Sequence, residues 1–122
     1  MDVGQARRPV VVGVDGSESA YQAVEWAAAE AARRGAALRL VGAFSWTASD
    51  QPTWHPLHVT HYHDQMLEIT RRQLAHGEQI AAQIRPGVET TTQVEIGAPI
   101  EVLESEAQRA QLLVLGDAAS AG

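Results

Sequence analysis

Short apolar runs alternate along the chain with longer segments in which apolar residues recur at helical spacing. Runs rich in Val, Leu and Ile predict buried strands, whereas a repeat of three to four residues predicts amphipathic helices. We predict strands at residues 9–14, 37–44, 88–96 and 112–115. We predict helices at residues 19–34 and 63–84, and a third from residue 99 onward.

The helix boundaries carry local signals of their own. Ser19 is followed three residues later by Gln22, a capping-box pattern that predicts Ser19 as the start of the first helix. Gly35 is predicted to end that helix as a left-handed cap, and Pro99 suits the first turn of the third helix. The predicted inner face of the third helix consists of residues 100, 103, 107 and 110.

The alternation of strands and helices predicts an α/β fold. It indicates an open parallel sheet with helices on both faces and right-handed crossovers. The length suits a single domain, which we place at residues 9–122, after a flexible N-terminal tail at residues 1–8.

Composition narrows the possible functions. The chain has no Cys, which excludes disulfides and thiolate metal sites, and it lacks an apolar run or leader that predicts membrane insertion or secretion. We therefore expect a cytoplasmic protein. A net charge of −6 disfavours nucleic-acid binding. Because there is no Lys, any phosphate site must use backbone N–H groups, helix ends or Arg.

The loops that follow the predicted strands are the candidate binding elements. In an open parallel sheet, ligands bind beyond the carboxyl ends of the strands, where the strand order reverses. Asp15 can accept hydrogen bonds from ribose hydroxyls, hold a metal, or only cap its own turn. Gly16 and Gly116 either allow a ligand close to the backbone or adopt a positive φ. These loops comprise residues 15–19, 43–45 and 116–119.

Three motifs in order resemble the universal stress protein family. Residues 11–17 read Val-Val-Gly-Val-Asp-Gly-Ser and are similar to the opening of that family. Residues 94–100 resemble its glycine-proline entry to the third helix, and residues 112–116 resemble the strand before its nucleotide loop. The resemblance extends over about residues 9 to 117, nearly the whole chain.

The resemblance implies the family's fold and ligand. It implies a strand order of 3-2-1-4-5 with ATP in the cleft between the two halves of the sheet. By position, Asp15 would meet the ribose, Ala43 would offer its backbone to the adenine, and Val14 would line the adenine pocket.

The phosphate end departs from the family pattern. Gly116 would begin the phosphate loop, with Asp117 beside it, but Ala119 stands where the family has its second glycine. The chain stops at Gly122, before the family's third glycine, last strand and last helix. We therefore expect a truncated chain with four strands in order 3-2-1-4. We also expect weakened ATP binding, since a Cβ obstructs a backbone that needs positive φ.

The segment between the second strand and the long helix is rich in His and Trp. Its four histidines indicate either a divalent-metal site, a pH-sensitive lid or a polar surface loop; we expect no native metal site. Trp46 and Trp54 can stack on a base or pack against the domain or a partner. We predict that residues 45–60 are the most mobile or variable part of the domain. The histidines are His55, His58, His61 and His63.

These observations leave three functions open. The first is a stress-response regulatory module that holds ATP without rapid turnover, and the second is a dimeric interaction protein that binds no nucleotide. The third, an adenine-nucleotide hydrolase or ligase, is disfavoured because no nucleophile–base pair is evident, so we expect no enzyme. The apolar strand at residues 112–115 has no Lys or Pro to protect its edge, which predicts a homodimer through or beside it.

Overall fold

The computed structural model describes residues 8–44 and 62–116 in full, together with the backbone of residues 56–61. Strands and helices alternate throughout this part of the chain, as the hydrophobic pattern predicts. In order they are β1 (Val10–Gly13), α1 (Glu18–Arg34), β2 (Leu38–Phe44), α2 (Pro56–Ile84), β3 (Thr90–Ile96), α3 (Pro99–Ala107) and β4 (Leu112–Val114).

The strands form one parallel sheet in the order β3-β2-β1-β4. Val10 of β1 lies opposite Leu38 on one side and Leu112 on the other, and Leu38 in turn lies opposite Thr90. This arrangement confirms the predicted fold class and strand order. The chain steps outward from β1 through β2 to β3 and then returns to the other side of β1, so the strand order reverses between β1 and β4.

Helices cover both faces of the sheet. Helices α1 and α2 pack against each other and against β1, β2 and β3, whereas α3 packs against β1, β2 and β4 from the opposite side. Because α1 presents mainly alanines to the sheet, its backbone lies close to the strands. The fully buried residues on the α1 and α2 face are Val10, Val12, Val24, Ala27, Ala28, Ala31, Leu38, Leu40 and Ala81.

The N-cap of helix α1 lies two residues before the predicted one, and the helix begins at Glu18. The Oγ of Ser17 accepts the backbone N–H of Ala20 at 3.1 Å, so Ser17 is the N-cap and the prediction of Ser19 was wrong. Both serines offer a hydroxyl, and the turn that leaves β1 brings Ser17 to the helix end. Gly35 ends the helix with a φ of 67°, which confirms the predicted left-handed cap.

Helix α2 begins at Pro56, seven residues earlier than the sequence pattern predicts. Residues 56–60 were predicted as loop, yet proline suits the first turn of a helix, where a backbone N–H would have no partner in any case. The rest of the predicted mobile loop, residues 45–55, lies outside the described residues. None of the described helices is long and apolar enough to cross a membrane.

Helix α3 keeps only part of its predicted inner face against the sheet: Leu103 is half-buried and lies beside Gly13 of β1, whereas two of the predicted residues are exposed. Ile100 is 72% exposed and Ala107 is also exposed, whereas Glu106 is only 6% exposed. The reason is an ion pair with Arg39 of β2, whose Nε and Nη2 atoms lie 2.8 and 3.2 Å from the two Glu106 carboxylate oxygens. The hydrogen bonds from Arg39 to the Glu106 carboxylate raise the pKa of Arg39, so the guanidinium stays charged.

Candidate functional site

The candidate site lies at the carboxyl end of β1, beside the reversal in strand order. Val14, the residue after β1, is 4% exposed, and its N–H donates to the carbonyl oxygen of Val41 at 2.9 Å. This bond continues the β1–β2 ladder past the end of the strand. The predicted adenine-lining residue Val14 is therefore part of the core, at the base of the loop that follows.

Asp15 is the first exposed residue after β1. Its Oδ1 accepts the backbone N–H of Ser17 at 2.9 Å, which folds the loop into a tight turn before α1. Hydrogen bonding from Ser17 lowers the pKa of Asp15, so its carboxylate is ionised at neutral pH. An ionised carboxylate has about four acceptor positions, so Asp15 caps its turn and retains capacity for ligand hydroxyls.

Gly16 and Gly116 are required for different reasons. Gly16 has a φ of 85°, in the left-handed region. This agrees with the interpretation of the sequence in which the glycine adopts a positive φ. Gly116 is not among the described glycines with positive φ; instead, a Cβ there would lie 2.8 Å from the backbone N of Ala20 and 2.8 Å from the carbonyl carbon of Ser19. Its lack of a side chain therefore lets the end of β4 contact the first turn of α1.

Ala43 lies near the carboxyl end of β2, in the centre of the sheet. It is half-buried and lies opposite Glu95 in the ladder with β3. At the end of the same strand, the carbonyl oxygen of Phe44 accepts the N–H of Gly97 at 2.9 Å. Phe44 is buried, whereas Ile96, which lies opposite it at the end of β3, is 57% exposed.

The histidine-rich segment is only partly described. His63 packs its ring edge-on against Phe44, with 5.6 Å between the ring centroids, and its Nδ1 lies 3.8 Å from an Asp64 oxygen. His55 lies outside the described residues, and the side chains of His58 and His61 do as well. Among the side chains that are described, no group of three or more metal-ligating residues comes together.

The six predicted nucleotide-binding residues can be placed only in part. Val14, Asp15, Ala43 and Gly116 all lie at the carboxyl ends of β1, β2 and β4, as predicted. Asp117 and Ala119 lie outside the described residues. The ligand contacts of all six stay predictions.

One residue next to this site carries no signal in the sequence. Gln73 of α2 lies against Gly16. The hydroxyl of Tyr21, 52 positions earlier in the chain, donates to the main-chain carbonyl oxygen of Gln73 at 3.4 Å. A half-buried Gln inside a helix looks like any other polar surface residue, and only the packing of α2 over the β1 loop reveals its neighbours.

Together, the sheet order and the loops define an open, doubly wound α/β domain with its candidate site at the switch point between β1 and β4. The universal stress protein family model matches residues 6–120. The chain therefore belongs to the universal stress protein family. A search by sequence among curated proteins found no match.

Solved structures of other universal stress proteins share the fold. A family member from Burkholderia pseudomallei has a TM-score of 0.70 at 24% identity, covering 95% of this chain and 86% of its own. A universal stress protein in complex with cAMP has a TM-score of 0.65 at 24% identity, with 89% and 75% covered. The Archaeoglobus fulgidus protein in complex with dAMP has a TM-score of 0.60 at 19% identity, with 90% and 81% covered.

Proposed function

We propose that this protein is a stress-response regulatory module that recognises the adenosine part of an adenine nucleotide. Asp15 would accept the ribose hydroxyls, while Val14 and the backbone of Ala43 would bound the adenine. Two similar structures hold cAMP and dAMP, which supports an adenine nucleotide as the ligand class. We propose binding without turnover, because the loops at residues 15–19 and 116–119 contain no His or Cys to activate a nucleophile.

The ionised carboxylate of Asp15 at the switch point is the observation that carries this proposal. It is exposed, its loop is fixed by the Ser17 amide, and its remaining acceptor positions suit a pair of ribose hydroxyls. A group held in place before the ligand arrives binds with a smaller entropic cost.

The phosphate end of the site is proposed to contribute less. Gly116, Asp117 and Ala119 would lie beside the phosphates, where Ala119 carries a Cβ in place of the family's second glycine. The chain has no Lys to add a point charge. We therefore expect ATP to bind scarcely more tightly than adenosine.

Replacing Asp15 with alanine is expected to weaken adenosine binding about tenfold, the effect of losing a charged hydrogen-bond acceptor. Titration calorimetry with adenosine, AMP and ATP measures this directly. The matched control is Glu25→Gln, which removes an exposed charge from α1 and should leave affinity unchanged. Equal binding by the wild type and Asp15→Ala would refute the role of Asp15, and ATP binding that is much tighter than adenosine binding would refute the weak phosphate end.

A dimeric interaction protein that binds no nucleotide is a second proposed function, and the edge of β4 favours it. Among the described strands, β4 pairs only with β1 and leaves its other edge open. A groove of about 610 Å³ runs between β4 and α1. It is bordered by Trp26 and Leu115, which are 55% and 54% exposed. An open apolar edge of this kind supports pairing with a second copy.

Leu115→Lys is expected to shift such a dimer towards monomer, because it places a charge at the open edge. Sedimentation velocity across micromolar concentrations measures the association. Thr91→Lys, at an exposed position on the opposite edge strand, is the matched control and should leave association unchanged. A wild type that sediments at 13.1 kDa at every concentration would rule out the dimer.

A further inference from the structure

The side chain of Gln73 lies along Gly16 on the side where a Cβ would stand. An added Cβ would lie 2.8 Å from the Cδ of Gln73 and 3.2 Å from its Cγ, and closer still to Nε2. Three successive atoms of one side chain therefore face the loop. Because the φ of Gly16 is 85°, the loop is in a conformation that L side chains rarely adopt, and Gln73 occupies the space that the missing side chain leaves.

The backbone of α2 at Gln73 is itself held by the first turn of α1. The hydroxyl of Tyr21 donates a long hydrogen bond to the main-chain carbonyl oxygen of Gln73, at 3.4 Å. His76, one turn further along α2, packs edge-on against the Tyr21 ring with 4.6 Å between centroids. The N–H of Tyr21 donates to the carbonyl oxygen of Ser17 at 3.2 Å. Helix α2, helix α1 and the β1 loop thus meet around one glutamine.

We propose that Gln73 is a positioning residue for the loop of Asp15, Gly16 and Ser17, acting through Gly16 rather than by touching a ligand. Its side chain packs against Gly16 in the turn and keeps the Asp15 carboxylate bonded to the Ser17 amide. The ligand part of this proposal rests on the proposed adenosine site, whereas the loop part does not. A loop left without such support presents its binding group less accurately.

The first test uses the Ser17 amide, which donates to Asp15 in the unliganded protein. Gln73→Ala is expected to speed hydrogen exchange at this amide roughly threefold to tenfold, the range for loosening one hydrogen bond. Gln73→Met keeps the length of the side chain and should stay near the wild-type rate. Gln79→Ala, an exposed position on the same helix, is the matched control. NMR exchange rates equal in the Gln73→Ala and Gln79→Ala variants would overturn the proposal.

The second test asks whether Gln73 and Gly16 act through their contact. Gly16→Ala is expected to lower the denaturant midpoint, and to lower it less when Gln73→Ala has already removed the obstructing atoms. Strictly additive midpoints would show that the contact carries no energy, and would overturn the proposal.

The third test links the loop to the ligand. Gln73→Ala is expected to weaken adenosine binding about fivefold in the wild type and to have no further effect in the Asp15→Ala background. An equal loss in both backgrounds would show that Gln73 acts independently of Asp15. If the wild type binds no adenosine, the proposed function fails, while the Ser17 exchange rates still decide the positioning role.

Discussion

Glu106→Ala is expected to destabilise the fold by about 2–3 kcal/mol, the largest effect that we predict for a single side chain. The substitution removes one partner of an ion pair in which the Glu106 side chain is only 8% exposed, and leaves the Arg39 side chain, which is 26% exposed, without its acceptor. Breaking a fully buried pair costs about 3–5 kcal/mol, and the partial exposure of Arg39 lowers that figure. Urea denaturation followed by circular dichroism measures the change.

A double substitution separates the pair from the packing around it. Arg39→Met with Glu106→Leu replaces both charges by apolar groups of similar size, and we expect a stability within about 1 kcal/mol of the wild type. Glu104→Ala, at an exposed position on the same helix, should change stability by less than about 0.5 kcal/mol. The interpretation would be wrong if Glu106→Ala were as stable as Glu104→Ala.

Gly116→Ala is expected to cost about 1–3 kcal/mol, the usual range for an overpacked site. The added Cβ would meet the backbone of α1, including the Ser19 carbonyl oxygen at 2.9 Å. A side chain can rotate away from such a contact, but backbone cannot, so β4 or α1 must shift. The same shift would disturb the switch point, so adenosine binding should fall together with stability.

Gly87→Ala provides the comparison for this position. No atom lies within 4 Å of a Cβ added to Gly87, and its φ is not among the positive values. It should therefore be neutral or stabilise by a few tenths of a kcal/mol, through the unfolded chain. Thermal and urea unfolding midpoints of Gly116→Ala and Gly87→Ala measure the difference. Equal midpoints for the two variants would contradict the proposed contact of position 116 with α1.

Local sequence determined the elements of this protein and their order. β-branched runs such as residues 10–12 strongly favour a buried strand. Because strands alternate with helices, a parallel sheet covered by helices is the arrangement that buries the apolar faces of both. The left-handed cap at Gly35 was also evident, because it depends on one residue and its immediate neighbours. The placement of Asp15 at the end of β1 followed from the same local reasoning.

Choices between equivalent local signals were decided by tertiary structure. Ser17 and Ser19 both offer a hydroxyl, and the turn out of β1 selects Ser17. In the same way, proline at residue 56 is compatible with either a loop or the first turn of a helix. In the structure it lies in the first turn of α2, which begins at this residue.

Contacts between distant residues were invisible in the sequence for a different reason. Glu106 is buried because Arg39 lies opposite it, 67 positions away along the chain. Gly116 is required by the first turn of α1, and Gln73 matters only because α2 lies over Gly16. Hydrophobic periodicity reports how each segment divides between core and solvent. It carries no information about which polar side chain meets which distant backbone, and that pairing is settled only when the sheet and its helices pack together.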